Sequence, residues 1–157
     1  FSDGWKPENA QKNMEQILTA NDNNVDAVLS ENDGMAGGVV AALSAQGLVI
    51  PVGGQDGDLA AINRVARGTQ TVSVWKDARD LGKAAGEIAS ALAAGASMDS
   101  IKGATKFSGG EKGIAINAIL LDPTPLTREN LSVAINGGHI SKEQACAGAL
   151  PGVDGCN

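Results

Sequence analysis

Residues 25–56 read VDAVLSENDGMAGGVVAALSAQGLVIPVGGQD. An apolar run, Val25 to Leu29, stops at the polar turn Ser30-Glu31-Asn32-Asp33-Gly34. Met35, Val39, Ala42 and Leu43 then recur at helical spacing, and Gly47 closes that segment. A second apolar run, containing Pro51, ends in Gly53-Gly54-Gln55-Asp56. Strand, turn, helix and strand in this order predict a βαβ unit with parallel strands. Polar side chains gather where both strands end, which is the edge at which open parallel sheets bind ligands.

The same grammar continues outward. Upstream, Pro7-Glu8 suits the first turn of a helix, and Ala10, Met14, Ile17 and Leu18 share one face of it. Asn21-Asp22-Asn23-Asn24 ends that helix as a solvated turn, and strand 25–29 is apolar enough to be buried on both faces. Downstream, residues 53–58 read as a tight turn with Asp58 as helix N-cap. Leu59, Ile62, Val65 and Ala66 mark the next helix, ended by Gly68, and residues 69–75 alternate as a strand. Residues 79–95 form an Ala-rich amphipathic helix with Leu81, Ala84, Ala85, Ile88 and Leu92 inside. An irregular stretch, 97–113, precedes a strand over 114–121. Asp122-Pro123-Thr124-Pro125 reads as a stiff connector. Thr127 is expected to cap a short helix over 128–135, and another short helix falls near 141–147. The alternation predicts an α/β fold with a doubly wound parallel sheet and helices on both faces. With only about four good strands, the sheet reads as incomplete, its first strands absent. The abrupt start at Phe1-Ser2-Asp3-Gly4-Trp5 reads the same way, as a chain cut in mid-fold.

Composition narrows the function. The 157 residues are 43% hydrophobic, enough for a real core. The net charge is -6 and no Lys/Arg cluster occurs, which argues against nucleic-acid binding. No apolar run reaches the roughly 18 residues of a membrane helix. Cys146 and Cys156 lie in a Gly/Pro-rich tail at a spacing that fits neither a zinc site nor a CxxC motif. A short-loop disulfide in an exported protein is the better reading, and two free thiols in a reducing compartment is the other.

No dinucleotide fingerprint, Walker sequence, nucleophile elbow or zinc-helix motif occurs. Asp56 and Asp58 resemble the start of a calcium loop, but its later positions are missing. The sole histidine, His139, reads as a surface residue. The sequon Asn130-Leu131-Ser132 carries no functional weight. No metal, cofactor or catalytic pair is indicated. What remains is Trp5, Asn32, Asp56 and Lys76, each at a strand end or junction. Each has a plain alternative: a core aromatic, a left-handed turn residue, a helix cap and a solvated strand terminus. Together they suit a neutral polyol. A carboxylate accepts from hydroxyls, an amide works both ways, an ammonium donates, and an indole face packs on the C–H side of a pyranose.

The runs GWKPENA, LTANDNNVDAVLSENDGMAGGVVAALSAQGL and GGQDGDLAAINRVARGTQTVSVWKDARDLGKAAGEIA resemble the periplasmic sugar-binding proteins of ABC importers, in their ribose/xylose-binding branch. The resemblance covers roughly residues 3–135. It implies two doubly wound lobes, a three-segment hinge and closure around a monosaccharide, D-xylose or a similar aldose. It implies that Trp5 stacks on the sugar while Asn32, Asp56 and Lys76 hydrogen-bond its hydroxyls, with Asp33 orienting the turn. Residues 1–75 would belong to the C-terminal lobe, 76–121 to a hinge crossing and part of the N-terminal lobe, and 122–157 to the return crossing and tail. The implied partners are an ABC permease in the membrane and a missing N-terminal lobe. That lobe would be a separate chain, a swapped copy, or simply outside the 157 residues. The implied location is periplasmic or extracellular, with lipid anchoring through the missing N-terminus as one form. Glu31 replaces an expected small residue and Asp77 matches the multi-sugar type, so the choice of sugar stays open. The sugar-binding domain of a transcription regulator is the alternative, against which the cysteine pair argues. A sugar-converting enzyme would need an acid–base pair or a metal.

Overall fold

The computed structural model describes all 157 residues, Phe1 to Asn157. They divide into two compact units, Phe1–Lys76 with Thr124–Asn157, and Asp77–Pro123.

The first unit is built on helix α1 (Pro7–Ala20), strand β1 (Val28–Leu29), helix α2 (Asp33–Ala45), strand β2 (Val52–Asp56), helix α3 (Leu59–Ala66) and strand β3 (Val72–Trp75). β1, β2 and β3 are parallel neighbours, with Val28 beside Val52 and Asp56 beside Trp75. α2 carries the expected stripe, and Met35, Val39, Ala42 and Leu43 are all buried. Gly47 follows it at φ +69°. α1 packs on α2 so closely that a Cβ at Gly38 would sit 2.1 Å from the Pro7 carbonyl oxygen, so only glycine fits there. Met14 and Leu18 of α1 join Ala36, Val39, Leu43 and Val52 in one apolar cluster. Ile17, expected inside, is 47% exposed. It lies three residues from Met14, at the margin of a narrow stripe.

Several boundaries move. The strand expected over 25–29 shortens to two residues, and Leu29 is exposed because β1 is an outer strand of the sheet rather than a strand buried on both faces. β2 starts after Pro51, which has no N–H for a ladder, and runs through Gly53-Gly54-Gln55-Asp56. Those residues were expected to turn. The connector 122–125 is in part strand β6 (Thr124–Leu126), which adds antiparallel to β3. The sheet order is therefore β1-β2-β3-β6, parallel except at its last strand.

A second apolar cluster joins Ile62, Val65 and Ala66 of α3 to Trp75, Leu126, Leu131, Ala134, Ile140, Ala145 and Val153. Leu59, expected on this face, is 46% exposed. The segment after β6 forms helix α5 (Ser132–Asn136), shorter than expected, because Thr127 and Asn130 bond each other in a turn instead of capping a longer helix. Helix α6 (Lys142–Cys146) has a capping box between Ser141 and Gln144. Asn63 of α3 donates to the carbonyls of Gln144, Ala145 and Ala147 at the end of α6. Cys146 and Cys156 are disulfide-bonded.

The second unit holds helix α4 (Ala78–Ala93) and a hairpin of β4 (Thr105–Phe107) with β5 (Ile116–Ala118). α4 begins at an Asp77 cap, whose side chain accepts from the Arg79 N–H. Its apolar stripe is present, yet no residue of α4 is buried; Leu81 and Leu92 are exposed. The stretch expected to be irregular contains β4, and the expected long strand is three residues of β5.

Candidate functional site

β2 ends at Asp56, β3 ends at Trp75, and Lys76 follows directly. Asp56 and Trp75 are register partners, so the next side chain, Lys76, reaches back to Asp56. Its Nζ lies 2.8 Å from Asp56 Oδ1, with the two side chains 43% and 40% exposed. An ion pair this open adds little to stability. It does present an acceptor and a donor side by side, able to accept a hydrogen bond from one hydroxyl and donate one to another.

Asp56 is held in an unusual backbone conformation, with φ +106°, followed by Gly57 at +74°. Such strain persists only where surrounding structure enforces it, and it concentrates at functional sites. Here the enforcing group is Asp33, at the first turn of α2 and wholly buried. Its Oδ2 accepts from the backbone N–H of Gly57 at 2.9 Å, that of Asp58 at 3.0 Å, and the Ser73 hydroxyl. Its Oδ1 accepts from Gln70 Nε2 at 2.8 Å. Arg64 completes the group by donating to Gln70 Oε1 at 2.9 Å and to the Asp33 carbonyl at 2.7 Å. Burial lowers the Arg64 pKa from its ordinary value, against the pull of Asp33 and Asp58.

Trp75 lies on the other side of the turn. A Cβ at Gly57 would come within 2.2 Å of its Cδ1, so both the positive φ and this contact demand glycine. His139 is not the surface residue expected. It is half-buried, packed against Trp75 with ring centroids 4.9 Å apart and planes tilted by 37°, and its Nε2 lies 2.7 Å from the Gly57 carbonyl oxygen. Asp58 stands at the N-cap position of α3 but makes no side-chain cap bond. Its pKa is raised by partial desolvation and then by the negative charges of Asp33 and Asp56, with Arg64 and His139 opposing.

Asn32 follows β1 at the same edge. Its backbone is extended, φ -151°, not left-handed, and its Oδ1 accepts from the Met35 N–H at 2.8 Å to cap α2. Trp5 ends a short turn before α1, is 52% exposed, and has φ +58°. It lines a groove with Phe1, Ile17, Leu29, Glu31 and Met35. The structure thus joins Asp56 and Lys76 directly, gives Asn32 a capping bond, and sets Trp5 in a groove that none of those three lines.

A model of the periplasmic binding protein domain matches residues 1–97. The chain belongs to the periplasmic binding protein family. Over 145 residues it is 44% identical to the D-xylose-binding periplasmic protein of Escherichia coli, covering 90% of this chain and 42% of that protein. A protein of the same description from Haemophilus influenzae is 42% identical over 144 residues, with the same shares covered. Among solved structures, an ABC transporter solute-binding protein from Clostridium phytofermentans with bound β-D-glucose superposes at a TM-score of 0.76 and 29% identity, over 90% of this chain and 45% of that one. The chain spans less than half the length of these relatives. They are sugar-binding proteins of transport systems, not enzymes. The α/β architecture with a parallel sheet is that of type I periplasmic binding proteins.

Within this periplasmic binding protein, sequence reasoning placed His139 on the surface and passed over Ser73 and Gln70. Their partners lie 82, 40 and 37 residues away in the chain. The one local signal was the Gly137-Gly138 pair before His139, a helix-ending pattern that fixes the following residue.

Proposed function

We propose that this chain supplies one wall of a monosaccharide site in a longer solute-binding protein, which delivers D-xylose or a similar aldose to an ABC permease from the periplasm. Asp56 and Lys76 bond neighbouring hydroxyls, Asn32 contributes its amide group, and Trp5 stacks on the C–H face of the ring. The first compact unit belongs to the C-terminal lobe and the second to the N-terminal lobe, with hinge crossings near Lys76 and 122–125. Closure of the lobes on the sugar accompanies binding. The observation that most supports this reading is Asp56 itself, held at φ +106° by buried groups while its carboxylate stays open beside Lys76. Neither curated relative described above is a transcription regulator, and the disulfide suits an oxidising compartment.

The test is Asp56→Ala in the full-length protein, titrated with D-xylose and D-glucose by calorimetry. Losing a charged acceptor for hydroxyls costs about 1.5–3 kcal/mol, which is at least about tenfold in affinity. Unchanged affinity removes Asp56 from the site. A change of tryptophan emission on sugar addition is expected, and one that survives Trp5→Phe undiminished counts against stacking by Trp5.

A further inference from the structure

We propose that His139 is a positioning residue for the sugar site, holding the peptide that follows the Asp56 turn from the side opposite Asp33. This rests on the reading that Asp56 contacts sugar. The peptide unit between Gly57 and Asp58 is held at both ends. Its N–H, on Asp58, donates to Asp33 Oδ2 at 3.0 Å, and its carbonyl, on Gly57, meets His139 Nε2 at 2.7 Å. In a trans peptide these groups point in opposite directions, so the two contacts together block rotation of the plane. The preceding N–H, on Gly57, is held as well, by Asp33 and Ser73. Asp56 therefore has a fixed exit path on its C-terminal side.

The direction of the His139 bond follows from its partner. A carbonyl only accepts, so Nε2 carries the hydrogen, as it does in one neutral tautomer and in the imidazolium. The ring is fixed by its contact with Trp75 and by its backbone. The His139 N–H donates to the Ala134 carbonyl and Gly138 N–H to Ile135, a Schellman closure of α5. α5 is tied in turn to the disulfide-bonded tail, since Ser132 N–H donates to Asp154 Oδ2 and Asp154 N–H to the Arg128 carbonyl. A tail outside the stretch matched by the family model is thereby connected to the turn that presents Asp56.

Two substitutions in the full-length protein separate donor from packing. His139→Phe keeps a ring against Trp75 and removes the donor; His139→Gln keeps a donor near Nε2 and removes the ring. Calorimetry with D-xylose and D-glucose should show His139→Phe weaker by about three- to tenfold, the loss of one hydrogen bond, and His139→Gln within about twofold of the parent by the same measure. In an Asp56→Ala background the effect of His139→Phe should vanish. If the Phe variant does not fold, His139→Leu makes the same comparison. Parental affinity in the donor-free variant, equal losses with Gln and Phe, or an undiminished loss in the Asp56→Ala background overturns the positioning role. Unchanged binding by Asp56→Ala alone instead overturns the sugar-site reading on which it rests.

Discussion

Asp33 offers the sharpest test of what holds the Asp56 turn. Its buried carboxylate receives four donors: the N–H groups of Gly57 and Asp58, the Ser73 hydroxyl and the Gln70 amide. Asp33→Ala removes an acceptor from all four, three of them on residues that are themselves buried, although the Gly57 N–H keeps the Ser73 hydroxyl and the Gln70 amide keeps the Val72 carbonyl. At about 1–3 kcal/mol per orphaned group, with losses within one network not additive, the expected destabilisation is about 3–5 kcal/mol. Asp33→Asn is milder and more informative. Its oxygen can stay with the three donors at Oδ2, placing the new NH₂ against Gln70 Nε2. Gln70 cannot simply flip to meet it, because Arg64 Nε already donates to Gln70 Oε1. About one bond is lost, roughly 1–2 kcal/mol. Thermal unfolding of the full-length protein reads both, at about 2–4 °C per kcal/mol for a protein of this size or somewhat less for a larger one. An Ala variant within about 1 kcal/mol of the parent, or an Asn variant as unstable as Ala, would refute the network argument.

Two further outcomes follow from other parts of the structure. Asp58 titrates above its ordinary value of 3.8 in the fold, so its ionised form is penalised there. Asp58→Asn should raise the melting temperature slightly at pH 7, and the gain should disappear as the pH falls below 3.8, where Asp58 is protonated folded or unfolded; equal melting curves at pH 7 would contradict this. Replacing Cys146 and Cys156 by Ser removes a constraint of sequence separation 10 and should cost about 2–3 kcal/mol, measured by urea unfolding with and without reductant; parental stability would show that the loop needs no covalent closure.

What could be read beforehand was mostly local. The stripe of α2 and its Gly47 end follow from a 3.6-residue period, and burial of Met35, Val39, Ala42 and Leu43 agrees. The alternation of residues 71–75 likewise marks β3. Periodicity fails where burial depends on neighbours. α4 has the same kind of stripe as α2, yet none of it is buried, because a stripe reports an amphipathic helix and not what covers it. Proline misled in both directions: Pro51 marks the start of β2, whereas Pro125 sits within β6, opposite Val74 at the margin of the sheet, where a missing N–H is tolerated. At the candidate site the side-chain types were legible, since Asp56 ends β2 and Lys76 directly follows β3. Their support was not. Asp33 reads as a turn residue until Gly57 and Gln70, from the turns either side of α3, and Ser73 of β3 are brought to it.

The five residues of α6 are too few to hold a helix by themselves. Besides the Ala149 N–H on the Cys146 carbonyl, its last turn is held by the amide of Asn63, a residue some eighty positions earlier in the chain. The stability of α6 is accordingly coupled to that of α3, although the two lie far apart in the chain. Loosening α3 should therefore expose the Cys146 end of α6 along with it.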